Sequence, residues 1–139
     1  MSDTSNSTTL PKIIAVDFDG TCVEHEFPNV GQDVPHADRV LRRLAANGCK
    51  LILWTMRSDS DEGKPLTDAV KWFKDKNIPL FGINENPSQK NWTQSPKAYA
   101  ALYIDDAALG CPLKPSPKTG NRPIVDWEQV EGVLFGGKK

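Results

Sequence analysis

An apolar run that ends in alternating carboxylates, Ile13-Ile14-Ala15-Val16-Asp17-Phe18-Asp19-Gly20-Thr21, constrains this chain more than any other stretch. Four apolar residues in succession read as a short strand buried on both faces, which belongs inside a parallel sheet. Strand period puts Asp17 and Asp19 on one side if the strand continues, and a turn at Gly20 lets both converge on one point. Ligands of open α/β sheets bind beyond the carboxyl ends of the strands. Two hard oxygen donors there suit Mg²⁺ and a phosphate better than they suit packing. Asp and Gly also make plain turns after strands. The rest of the chain has to decide between the two.

Strand and helix patterns alternate behind that run. Pro35 opens a helix whose apolar face is Ala37, Val40, Leu41, Leu44 and Ala45, at spacings of three and four. Asn47-Gly48 closes it. Lys50 to Thr55 reads as a second buried strand, followed by a polar loop from Ser58 to Lys64. Leu66, Ala69, Val70 and Phe73 mark a second helix ending near Asn77, and Ile78 to Ile83 a third strand. A polar loop over residues 84–95 leads to a fourth strand, Leu102-Tyr103-Ile104, which ends at Asp105-Asp106. A loop rich in Pro and Lys runs to Arg122, and Trp127 to Phe135 forms a last helix. This order predicts an α/β fold: three Rossmann-like layers around a central parallel sheet.

At 139 residues the chain has room for one domain, expected over residues 12–139 behind a disordered lead-in at 1–11. Charged residues at 25% and hydrophobic ones at 38% describe an ordinary water-soluble protein. A net charge of −1 without charge runs argues against nucleic acid as a partner. No apolar stretch is long enough for a membrane span, and the first residues lack the basic and apolar regions of a signal peptide. Three scattered cysteines fit neither a zinc pattern nor a disulfide framework, so free thiols in a reducing cytoplasm are expected.

Three strand ends thus carry polar chemistry: Asp17 with Asp19, Thr55, and Asp105 with Asp106. Lys97 precedes the strand that delivers the last pair. A parallel sheet gathers such ends on one edge. The set then holds what phosphoryl transfer needs: an attacking carboxylate, an adjacent acid, a hydroxyl and a cation for the phosphoryl oxygens, and carboxylates for a metal. Each residue alone has a plainer reading, as a strand end, a solvated charge or a turn. Their joint occurrence in this order carries the argument.

Asp17-Phe-Asp-Gly-Thr21, Leu53-Trp-Thr55, Lys97 and Ile104-Asp-Asp106 resemble the four motifs of the haloacid dehalogenase superfamily, in its phosphatase branch. The resemblance covers roughly residues 12–113 and is most specific in the first motif. It implies a HAD-like phosphatase with Asp17 as nucleophile and Mg²⁺ ligand. Asp19 would protonate the leaving group, activate water, and touch the metal through its backbone carbonyl. Thr55 would hold the phosphoryl group. Lys97, or Lys90 in the same connection, would offset charge. Asp105 would be the remaining metal ligand, aided by Asp106 directly or through water.

Core elements use up the intervals between the motifs, so no cap domain is expected. An open site suits bulky substrates, or a second subunit that closes it. The segment Cys22 to Val34, with Glu24, His25, Glu26 and Phe27, stands where the family has a small flap. Substrate contacts are expected from Gly20 and Thr21 at the turn, from His25, and from Arg57, whose fork matches phosphate oxygens.

Two other readings compete. A response-regulator-like phosphoacceptor also uses Asp, Thr, Lys and a carboxylate pair, but there the acidic pair comes first and Thr and Lys last. A catalytically silent interaction module on the same fold is the other. Within the family, Asp19 favours phosphate esters over carbon–halogen bonds, because an alkoxide leaving group needs a proton.

Overall fold

The computed structural model describes residues 9–60 and 63–136. Its elements are β1 (Ile13–Val16), α1 (Ala37–Ala46), β2 (Lys50–Leu53), α2 (Pro65–Asp75), β3 (Gly82–Ile83), β4 (Leu102–Ile104), β5 (Leu113–Lys114), β6 (Ile124–Val125) and α3 (Trp127–Phe135). The first four strands form one parallel sheet in the order β3-β2-β1-β4. The chain therefore steps outward from β1 through β2 to β3, then returns to the far side of β1. That reversal makes the gap between β1 and β4 the switch point of the sheet, where the crevice at the carboxyl edge opens.

The two faces of the sheet are covered differently. Ile14, Val16, Leu51, Leu53 and Ile104 join the main apolar core with the buried faces of the helices. Phe18, Trp72 and Phe73 pack edge-on or tilted within it, with centroids 5.0–6.2 Å apart. On the other face lie Ala15 and Ile52, 1% and 0% exposed, beside Tyr103 in register with Ala15. The β3-to-β4 connection covers them: the Tyr103 hydroxyl donates to Ala98 O, and Ala98 is itself buried. This layer is irregular, with one 3-10 turn at Pro87–Gln89, and its buried amides hold it together. Gln89 donates to Ser95 O and Lys97 O and accepts from Tyr99 N, while Asn86 donates to Tyr99 O. Buried side-chain amides thus do what a helix's own hydrogen bonds would do.

The expected third strand is shorter than its apolar run. Pro79 has no N–H to give a ladder, and Ile78 N donates to Phe73 O, closing α2. Pairing resumes only at Phe81, whose N–H reaches Leu51 O at 2.7 Å. The expected Pro- and Lys-rich loop holds a feature that its composition hides: β5 and β6 pair antiparallel, Leu113 with Val125 and Lys114 with Ile124. The first eight residues of the expected lead-in and residues 61–62 of the polar loop lie outside the described residues. Leu10, within that lead-in, packs on the core. Among the described residues no helix is long and apolar enough to cross a membrane.

Candidate active site

Register brings the first acidic groups together. Val16 pairs with Ile104, so the residues that follow, Asp17 and Asp105, leave the sheet side by side at the switch point. The bond from Asp17 N to Ile104 O, 2.9 Å, carries the ladder one residue further. Beyond it the chain turns at once, because Thr21, Cys22 and Val23 all donate to Phe18 O. Gly20 sits in this turn at φ 83°, and a Cβ there would collide with the His25 ring and the Asp106 carboxylate. Only glycine fits, for both reasons.

Carboxylate oxygens of Asp17, Asp105 and Asp106 all lie within 4.8 Å of one another. The buried Thr21 hydroxyl organises them: it donates to Asp17 Oδ2 at 3.0 Å and accepts from Asp106 N at 3.2 Å. Burial raises the Asp17 carboxyl to about 8, helped by the negative charge of Asp105 and by Asp106, with the Thr21 hydrogen bond working the other way. Crowded carboxylates repel, and a hard divalent cation relieves that repulsion. The donor set is all oxygen, which suits Mg²⁺. Asp17, Asp105 and Asp106 fit such an ion.

Asp19 is elsewhere. Both its oxygens accept from Arg57, at 2.9 Å from Nε and 2.8 Å from the Nη2 nitrogen. Its carboxylate stands outside the acidic cluster, and the resemblance gives it a metal contact only through its backbone. Thr55 follows β2, its N–H held by Asn84 Oδ1 and its hydroxyl accepting from Arg57 N. That leaves the hydroxyl hydrogen for an incoming phosphoryl oxygen. Neither lysine reaches the carboxylates. Lys97 lies over the Tyr103 ring, 5.5 Å from its centroid, and Lys90 faces Glu85 at 3.7 Å.

Two expected substrate contacts are corrected. Arg57 is only 2% exposed and spends its donors on protein acceptors, so no fork is left for phosphate. Thr21 is fully buried and serves the carboxylates instead. His25 does stand at the site, with Nε2 3.0 Å from Asp106 Oδ2.

The β5–β6 hairpin supplies what sequence reasoning missed. Arg122 places a guanidinium nitrogen 3.9 Å from Asp106 Oδ2. Ser116 and Asn121 both donate to Oε1 of the buried Glu24, and Lys118 pairs with Glu26, so the hairpin tip and the flap form one wall. Below, Val125 N donates to Gly20 O and the Trp127 indole donates to Thr21 O. No local signal marks these links. The apolar pair Ile124-Val125 before the Asp126 cap was the one trace available.

No family model and no curated protein matches the sequence. Among solved structures, a conserved protein from Bacteroides thetaiotaomicron is similar to it, with a TM-score of 0.69 and 30% identity over 94% of each chain.

Proposed function

We propose that this chain, which belongs to the same family as the Bacteroides thetaiotaomicron conserved protein, is a Mg²⁺-dependent phosphoester hydrolase. The observation that carries the reading is the meeting of Asp17, Asp105 and Asp106 at the switch point of a parallel sheet, with a buried hydroxyl aligning Asp17. Oxygen-rich clusters at this place in a fold suit phosphoryl chemistry.

The reaction divides into two displacements. A carboxylate oxygen of Asp17 attacks phosphorus, the ester P–O bond breaks, and Asp19 gives its proton to the leaving oxygen. Water then attacks the phosphoryl group on Asp17, Asp19 takes a proton from it, and phosphate leaves as the Asp17 carboxylate returns. When bound, Mg²⁺ offsets the charge of the carboxylates and of the phosphoryl oxygens. Thr21 orients the nucleophile, and the Thr55 hydroxyl is placed to hold a phosphoryl oxygen. Arg122 and His25 front the cluster at its mouth, where a substrate's remaining part would lie.

Without an inserted cap, the flap and hairpin are the only cover among the described residues, which suits a bulky phosphorylated substrate. The test is release of phosphate from 4-nitrophenyl phosphate and a panel of larger phosphoesters, with and without Mg²⁺. Turnover that stops in excess chelator and returns with Mg²⁺ supports the reading. Turnover unaffected by chelator, or by Asp17→Asn, overturns it.

A further inference from the structure

We propose that Arg57 is a positioning residue that ties the Asp19 carboxyl to the flap, so that residues 22–34 set where that carboxyl stands. The chemistry rests on the phosphatase reading above; the coupling rests on geometry alone. A guanidinium has five N–H donors, and Arg57 makes five hydrogen bonds. Two go to Asp19, at 2.9 and 2.8 Å. Two go to flap carbonyls, Pro28 O at 3.1 Å and Asn29 O at 2.7 Å. The fifth reaches Pro65 O at the start of α2, at 3.1 Å. Phe18 and Phe27 both lie against the guanidinium, centroids 5.0 and 5.2 Å away, and Phe27 is itself a flap residue.

A buried charge tolerates no missing partner. Asp19 is the one carboxylate paired with Arg57 among the described residues, and the flap supplies two of the remaining three acceptors. The two flap carbonyls therefore help to hold the buried guanidinium in place on Asp19. Each Asp19 oxygen accepts one bond from Arg57, so the guanidinium fixes the plane and position of the carboxyl while a second lone pair on each oxygen stays open towards a substrate or water.

The experiment has two arms. Amide hydrogen exchange is measured over residues 26–31 in wild type, Asp19→Asn and Arg57→Lys without substrate. Both variants should exchange these amides at least about 10-fold faster, since Arg57→Lys loses bonds to the flap and Asp19→Asn removes the anion that holds the guanidinium in place under it. Steady-state rates are then compared for an alkyl phosphate and for 4-nitrophenyl phosphate with Mg²⁺. Arg57→Lys should lose at least about 10-fold more on the alkyl ester, because only the poor leaving group needs the proton. Unchanged flap exchange in Asp19→Asn overturns the coupling whatever the activity, and that variant decides the point even where Arg57→Lys does not fold. Equal losses on both esters overturn the proton role, and a rise in KM alone would make Arg57 a phosphate ligand. A wild-type protein that releases no phosphate defeats the phosphatase reading, while the exchange arm still decides the tie between Asp19 and the flap.

Discussion

Val16 faces Ile104 across β1 and β4, and that one register contact sets the Asp17 and Asp105 side chains next to each other beyond the sheet. A slip of one residue would turn one of them to the opposite face.

Metal-free protein should lose stability as pH rises from about 4 to about 8. Asp17 is raised in the folded chain from 3.8 to about 8, so in that window the folded state holds a proton that the unfolded chain has released. Stability then falls with pH, by at most about 1.4 kcal/mol per pH unit. Urea unfolding in chelator across this range checks it. Asp17→Asn should flatten the curve, and Mg²⁺ should flatten it in the wild type.

Asp17→Asn should lower turnover of any phosphoester by at least about 10³-fold while the chain stays folded. Steady-state rates with a circular dichroism spectrum of the variant test both halves of that statement.

Thr21→Val removes a hydroxyl that bridges Asp17 and the Asp106 amide, with almost no change in volume. Partners of metal ligands are typically worth about 10–100-fold in metal affinity. The Mg²⁺ concentration for half-maximal activity should rise by that factor in a titration of the variant.

Trp127→Phe should destabilise the fold by about 1–3 kcal/mol, because the buried Thr21 carbonyl loses its indole donor. Chemical denaturation measures the loss. Activity should fall with it, since Thr21 is the residue that aligns Asp17.

Lys97→Met should reduce turnover by about 10-fold or more, and Lys90→Met by less than about twofold. Lys97 lies over the ring of Tyr103, on the strand that delivers Asp105 and Asp106, and it is the lysine to which the motif resemblance gives the charge-offsetting role. Lys90 is drawn to Glu85 instead. Rates of the two single variants separate them.

Much of this molecule is readable from local pattern. The apolar runs of β1, β2 and β4, the helical faces of α1, α2 and α3, and carboxylates at two strand ends depend on residues near one another in the chain. Their periodicity is visible without a fold. Even the need for glycine at position 20 is signalled by the turn, although the reason, His25 and Asp106 filling its Cβ space, is not. Tertiary structure decided the rest. Arg57 looks like a free phosphate fork in sequence, but its five acceptors come from a strand end, the flap and a helix start. Thr21 looks like a turn residue open to substrate, yet Trp127 and Asp106 enclose it from far along the chain. The β5–β6 hairpin has two residues per strand, too few to show an alternation, and pairs only because its ends dock on the Gly20 turn and on Glu24. Sequence by itself determined which chemistry stands at the strand ends, because strand and helix periods are local. Which donor meets which acceptor was decided by packing, because those partners come together only after the chain has folded.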